Sequence, residues 1–520
     1  MRKLVLAAAF ATLGIGAAPA QELRIGLGSE PTTLDPQFYN LTPNSEAAAY
    51  VFDTLVWSDP AGRLIPWLAA SWKLLDETTW EFTLRSDATF HDGAPLTVDD
   101  VLASFARVPT VQNSPSNFAK FLSHIARAEA VGPHTLRITA TGPYPSLPAD
   151  LTQISIIPRR LAAANTADFN AGRAMTGTGP FKFVEWVPGD RLTYVRNEAY
   201  WGPKPAWSRV TVKPVSNSTA RTAALLSGTV DMINVVPPDD IPALQARPEL
   251  VIREGPEQRL VYMALDSVRE KSPWVTDKDG KVLDRNPLRD LRVRQAMSMA
   301  IDRAAIVDKV MAGRAAPAGD ILPVGSFGTI PDSRPEAYDP VGARKLLAEA
   351  GWGNGFAITI HGPNDRYLND AKVVQAVAQF FTRLGIATKV ETLPKSIYFT
   401  RVANNDFSVF LIGTGPTIGT GTLSMQTYMF ATRDPVKLMG AGNWTYFSRA
   451  PLDVLLAKAS STVDDTAREA LLRDAGRLVL AERPILPLYF GFNTWAMRKS
   501  IDYAPHASSY TLAADVYPVK

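Results

Sequence analysis

The sequence predicts an α/β fold, and three observations carry that prediction. Stretches with a two-residue apolar period open the chain and recur through its first half. Stretches with a helical period dominate residues 290–385, each closed by a glycine and interleaved with strand-like runs. Apolar residues make up 46% of 520, enough to bury more than one core, and the length gives a soft expectation of three to four domains.

The elements follow in order. Leu23-Arg24-Ile25-Gly26-Leu27 alternates as an opening strand, and Pro31, Asp35-Pro36 and Pro43 make the next segment irregular. Trp80 to Arg85 alternates cleanly, His91-Asp92-Gly93 turns, and Thr97 can cap a helix whose first turn carries Asp99 and Asp100. Phe181 to Trp186 and Leu192 to Arg196, separated by Val187-Pro188-Gly189-Asp190-Arg191, read as a hairpin. Val293, Ala296, Met297 and Ala300 share one face of a helix expected over 290–312, with Gly313 as its stop. Ala343, Leu346, Leu347 and Ala350 repeat the pattern before Gly351. Val373, Val377, Phe380, Phe381 and Leu384 repeat it before Gly385, and a strand begins near Ile386.

The extreme N-terminus has another character. Arg2-Lys3, an apolar or small run from Leu4 to Ala18, and Ala18-Pro19-Ala20 before Gln21 form the pattern of a cleaved secretory signal peptide. The run is about fifteen residues, short of the roughly twenty needed to span a bilayer. The chain has no cysteine, so disulfides, thiolate chemistry and lipid attachment through an N-terminal cysteine are absent. The expectation is export to the periplasm without a lipid anchor. A formal charge of +3 is too balanced for an electrostatic nucleic-acid binder.

Catalytic signatures fail. Val324-Gly325-Ser326-Phe327-Gly328 has valine where a nucleophile elbow needs glycine. Gly413-Thr414-Gly415-Pro416-Thr417-Ile418-Gly419 breaks the dinucleotide fingerprint at Ile418, so its glycines are read as places of close backbone approach. His91, His124, His134, His361 and His506 never fall at helical metal-ligand spacing, so no metal or cofactor is implied; His361, in an expected polar loop, is the least settled. Asp99-Asp100 and Asp464-Asp465 lie at apparent helix starts, where they complement the helix dipole. Trp352, Trp444 and Trp495 stand in loop-like contexts and are either packing residues or walls of an organic-ligand cleft.

Several blocks together resemble the solute-binding proteins of bacterial ABC importers, in the dipeptide, oligopeptide and nickel-binding family. They are Trp80 to Arg85 with Ala88 to Val101; Thr178-Gly179-Pro180-Phe181; Arg196 to Gly202; and Ser227-Gly228-Thr229-Val230-Asp231. Val293 to Ala296, Ala300 to Arg303, Tyr338-Asp339-Pro340 and Leu346 to Trp352 continue the series in the family's order. The resemblance implies a two-lobed periplasmic binding protein fold of type II, in its large form with an extra subdomain, the lobes joined by a two-strand hinge. It places a signal peptide at 1–20, a first lobe at 21–55, 175–262 and 486–520, the extra subdomain at 56–174, and a second lobe at 263–485. It implies a monomer that is not an enzyme. Such a protein captures a small organic solute and docks on a membrane permease with its ATPases.

The resemblance also assigns site residues. Dipeptide-binding members hold the ligand's amino terminus with an aspartate, and the matching stretch Leu411 to Pro416 has Gly415 near that position. A buried ammonium without a counter-charge is costly, so a free peptide amino group is not expected there. Arg366, in Asn364-Asp365-Arg366-Tyr367, falls at the place of the family's carboxylate-binding arginine. Tyr39 and Asn40 are expected from the first lobe, and Arg366, Tyr367, Gly413, Gly415, Asn443, Trp444 and Tyr446 from the second. The solutes expected are modified peptides, opines, or acidic or sugar-like metabolites. Two other readings stay open: an exported hydrolase with paired carboxylates, and a metal- or haem-chelate binder of the same fold.

Overall fold

The computed structural model describes residues 22–59, 62–114, 118–415, 421–434, 439–506 and 509–519. The expected signal peptide and the stretch 416–419 of the glycine-rich segment lie outside these residues. Twelve strands of the described residues form one large sheet: β1 (Glu22–Leu27), β2 (Phe181–Val187), β3 (Arg191–Arg196), β4 (Arg209–Pro214), β5 (Met232–Asn234), β6 (Leu250–Leu265), β7 (Val275–Thr276), β8 (Ala315–Pro317), β9 (Ala357–Pro363), β10 (Ala387–Leu393), β11 (Val409–Thr414) and β12 (Ile485–Arg498). Their order is β7-β9-β11-β6-β12-β5-β1-β4-β3-β2, with β8 paired to β12 and β10 to β9.

The two long strands, β6 and β12, hold the molecule together. Leu250 to Pro256 of β6 pairs antiparallel with Arg498 to Phe492 of β12, and Leu260 to Ala264 pairs with Phe490 to Ile485. The register shifts between Pro256 and Leu260, where three residues of β6 face no regular ladder. On one side of this break β12 pairs with β5 and leads into the first lobe. On the other, β6 pairs with β11 and leads into the second. The fold is the two-lobed α/β arrangement, with both lobes built on strands that cross between them.

Each lobe has its own core. Leu23, Ile25, Tyr194, Val210 and Trp495 are buried together in the first. In the second lobe the sheet is covered on both faces, and β6 shows how: Val261, Met263 and Leu265 enter one core, while Leu260, Tyr262 and Ala264 enter the other. A separate antiparallel sheet, ordered Ala69–Leu74, Thr79–Leu84, Thr135–Ala140, Ile125–Gly132, packs on the helix Val98–Arg107 around Phe82, Leu136, Ile138 and Val101. That helix begins with a reciprocal capping box between Thr97 and Asp100, as its acidic first turn predicts.

The helical periods mark real helices, with one difference. Asp370–Leu384 buries Val373, Val377 and Phe381 and ends where Gly385 takes a φ of 106° and donates its N–H to the carbonyls of Phe381 and Thr382. Each such apolar side chain contributes about 1.5–3 kcal/mol by leaving water. The single helix expected over 290–312 is instead Leu291–Met299 followed by a break. Asp302 accepts from the N–H of Ala305 at 2.9 Å and starts a new short helix, because a short carboxylate competes for backbone donors better than the next turn does. Trp495 lies in β12, not in a loop; it is 1% exposed and its indole donates to Thr511 Oγ1 at 2.9 Å.

Candidate functional site

The break in β6 is also where polar chemistry collects. Beyond it, Leu260 faces Thr414 and Val261 faces Gly413 on β11. A Cβ on Gly413 would stand 2.7 Å from Cε1 of Tyr367 and 3.0 Å from Cδ of Arg259. A Cβ on Gly415 would stand 2.8 Å from the carbonyl oxygen of Gln258 and 2.9 Å from Cα of Arg259. The two glycines therefore let the Glu257-Gln258-Arg259 segment and the Tyr367 ring lie directly on the end of β11. Tyr367 donates its hydroxyl to the carbonyl of Gly413 at 3.2 Å. Its ring lies near two cations, 5.2 Å from the Arg366 guanidinium and 5.8 Å from that of Arg259.

The charges at this place are not all paired with one another. Arg259 pairs with Glu257 at 3.0 Å. Arg366 has no carboxylate partner among the described residues. Asp370 accepts instead from the backbone N–H groups of Arg366 at 2.9 Å and Tyr367 at 3.0 Å, which opens the helix Asp370–Leu384. Asp365 accepts from the N–H of Lys395 at 2.6 Å. Arg366 is open to solvent yet flanked by protein, so desolvation lowers its pKa, and the like charge of Arg259 lowers it further. An anion beside the two guanidinium groups offsets their mutual repulsion.

A further cation lies in the same lobe. Arg433 lies 5.8 Å from the ring of Trp444 and 4.6 Å from that of Tyr446, and its Nη1 is buried with no acceptor among the described residues. Burial raises the pKa of Tyr428, with Arg433 opposing the shift, and the Tyr262 hydroxyl lies 3.4 Å from Thr414 Oγ1.

The structure thus brings Arg366, Tyr367, Gly413 and Gly415 together, and sets Trp444 and Tyr446 around Arg433. Asn443 is spent on its own loop: it is 1% exposed and its amide donates to the carbonyls of Ala431 at 3.0 Å and Phe447 at 2.7 Å. Tyr39 and Asn40 lie in the turn before the helix Thr42–Ala49, where the Tyr39 carbonyl accepts from the N–H of Leu41. Among the described residues no contact joins them to the second-lobe group. Glu257, Arg259 and Arg433 escape a reading of the sequence. The visible signal for the first two is the polar run Glu254-Gly255-Pro256-Glu257-Gln258-Arg259 inside an otherwise alternating strand.

The residues singled out for other chemistries have structural partners. Asp464 caps the helix Asp465–Glu482 through the N–H of Ala467 at 2.8 Å. Asp99 pairs with Arg159 at 3.0 Å. His361 is a β9 residue, not a loop residue; it is fully buried, stacked on Phe407 at 4.1 Å and 3.1 Å from Glu391, and burial holds its pKa down to about 4. Among the described residues no three His, Asp or Glu side chains gather as a metal site, and no helix is long and apolar enough to cross a membrane.

Comparison with known proteins gives the same architecture. The sequence profile of bacterial extracellular solute-binding proteins, family 5 Middle, matches residues 63–435. The glutathione-binding protein GsiB of Shigella flexneri is 27% identical over 499 residues, covering 93% of this chain and 92% of that one. The periplasmic binding protein DppA of Helicobacter pylori, solved with the peptide STSA, superposes with a TM-score of 0.77 at 23% identity, covering 96% of this chain and 99% of that one. The binding protein AgaA of A. tumefaciens, solved with agropinic acid, gives a TM-score of 0.74 at 25% identity over 96% of this chain and 99% of that one. With a family match over residues 63–435 and the two-lobed fold, the chain belongs to the family 5 bacterial solute-binding proteins of ABC importers.

Proposed function

We propose that this protein captures an anionic, peptide-like solute between its lobes in the periplasm and delivers it as a monomer to a membrane permease, with Arg366 as the principal anchor. The observation that carries the reading is a guanidinium without a carboxylate partner, beside a second arginine, at the point where the lobes exchange strands. Arg366 is built to take a carboxylate in a forked pair of hydrogen bonds, with Tyr367 as the platform. Gly415, where dipeptide binders of the family carry an aspartate, offers no counter-charge to a free ammonium. Glutathione and agropinic acid, the ligands named for two relatives, both carry carboxylate, which supports an anionic solute. Tyr39 and Asn40 are retained as first-lobe contacts of the closed form. The register shift at 256–260 of β6, opposite 490–492 of β12, supports an exchange between the lobes close to the expected crossings at 262 and 486, with residues 56–174 as a subdomain of the first lobe. The basic-then-apolar N-terminus supports export through a cleaved signal peptide.

Thermal-shift and calorimetric titration with glutathione, agropinic acid and unmodified dipeptides tests the reading. A true ligand at a hundred times its Kd stabilises the protein by about 2.7 kcal/mol. Arg366→Ala is expected to weaken the anionic ligand by about ten- to a hundredfold, the range of a lost charged hydrogen-bond pair. Unchanged affinity in Arg366→Ala, or dipeptides with free amino termini binding as tightly as the anionic solutes, overturns the assignment.

A further inference from the structure

A second cavity lies in the first lobe and shares no residue with the Arg366 group. It has a volume of about 130 Å³ and is walled by Trp57, Trp67, Tyr200 and Phe52, with two carboxylates, Asp53 and Asp515. Among the described residues no lysine, arginine or histidine lines it. The two carboxylates differ. Asp53 is fully engaged, accepting from Trp67 Nε1 at 2.8 Å, Thr178 Oγ1 at 2.8 Å and Trp201 Nε1 at 3.0 Å. The Asp515 carboxylate has no hydrogen bond or ion pair among the described residues, and burial lifts its pKa to about 6. Arg85, beside the aromatic group, is occupied: it sits 4.4 Å over the ring of Trp201 and pairs with Asp87 at 3.0 Å. The indoles of Trp57 and Trp67 stack at 5.9 Å, and Trp201 meets Trp67 edge-on at 5.0 Å, which fixes the aromatic walls.

We propose that this cavity binds a small organic ammonium ion, a protonated or methylated amine, whose charge is met by Asp515 and whose flanks lie against Trp57, Trp67 and Tyr200. A carboxylate in a partly desolvated site with no partner is costly, and a mobile cation is the missing partner. Aromatic rings favour a diffuse ammonium over a hydrated metal ion, because the ring quadrupole attracts the charge while the methyl groups bury against carbon. The same walls disfavour a neutral molecule of equal shape only through the lost charge, so a neutral isostere isolates the role of Asp515.

The test is calorimetric titration of the whole protein with choline and with 3,3-dimethylbutan-1-ol, its neutral isostere, with tryptophan fluorescence as a second readout. Choline is expected to bind one site saturably in the millimolar range or below, with a change in tryptophan emission. The isostere is expected to bind at least tenfold more weakly. Asp515→Asn is expected to weaken choline at least tenfold while melting no lower than the parent, since it removes an unpartnered charge. If that variant fails to fold, Trp57→Phe decides instead, with an expected loss of several-fold in choline affinity. Absence of saturable choline binding, equal binding of the isostere, or unchanged choline affinity in the variant that folds overturns the proposal. None of these outcomes depends on the solute taken between the lobes.

Discussion

Glu46 shows how far one buried side chain sets the pH response of this protein. It is 7% exposed, and its Oε1 accepts from the N–H of Thr511 at 2.7 Å. Burial lifts its pKa from 4.5 to about 8, with the hydrogen bond from Thr511 opposing the shift. The folded value lies above the unfolded one, so the folded chain keeps a proton that the unfolded chain releases. The favourable contribution is complete below pH 4.5 and is lost as pH rises toward 8. His91, held down to about 4 chiefly by burial, acts in the opposite sense between about 4 and 6.5. Comparing a variant with its parent cancels that term. Glu46→Gln keeps an acceptor for Thr511 and removes the titration. Its stability relative to the parent is expected to rise between pH 4.5 and pH 8 by on the order of 2–4 kcal/mol, an upper range set by the size of the shift. Urea unfolding at the two pH values checks this; a difference that stays constant with pH refutes it.

At the scale of elements, the site is a meeting of strand ends, and the glycines of β11 define it. A methyl group on Gly413 meets only side chains, the Tyr367 ring and the Arg259 stem, whereas one on Gly415 meets the backbone of Gln258 and Arg259. Gly413→Ala is therefore expected to leave the melting temperature nearly intact while weakening an anionic ligand at least tenfold, because Tyr367 must leave its bond to the Gly413 carbonyl. Gly415→Ala must move the crossing strand itself and is expected to cost about 1–3 kcal/mol of stability as well. Melting curves and calorimetry on the two variants separate these effects; equal stability loss in both contradicts the close-approach account. Part of this geometry is legible in the sequence. Gly413, Gly415 and Arg366 stand out as glycines and a cation in expected loops, and the helix ends at Gly385 and Gly351 can be read directly. Arg259 is not legible as a site residue, because its neighbours on β11 lie about 150 positions away and are fixed by the strand order of the sheet, which local periodicity does not encode. The helix break at Asp302 is hidden for a different reason: its apolar residues keep the helical period, and one side-chain hydrogen bond decides the boundary.

At the scale of the molecule, binding and closure are one equilibrium. A ligand stabilises the closed form only by binding it better than the open one, and affinity falls with the fraction of molecules able to close. The described residues hold a contact between the lobes that touches no part of the Arg366 group. Lys372, on the second-lobe helix Asp370–Leu384, lies 3.6 Å from Asp239 in the first-lobe turn Pro238–Asp240. Both side chains are largely exposed, so the pair is weak and easily screened. It is nonetheless placed where it can favour closure over opening. Lys372→Glu turns the contact into a repulsion and is expected to lower ligand affinity by up to about fivefold at low salt, within the small range of exposed pairs. Because the variant alters the closing equilibrium and not the ligand contacts, the loss should appear equally for every ligand that closes the lobes. It should also shrink toward zero at about 1 M salt, where the screening length falls to about 3 Å. Restoring the pair in reversed order, with Asp239→Lys added to Lys372→Glu, is expected to recover the parent affinity. A loss that differs between ligands, persists at high salt, or is not recovered by the reversal places Lys372 in ligand contact and not in closure.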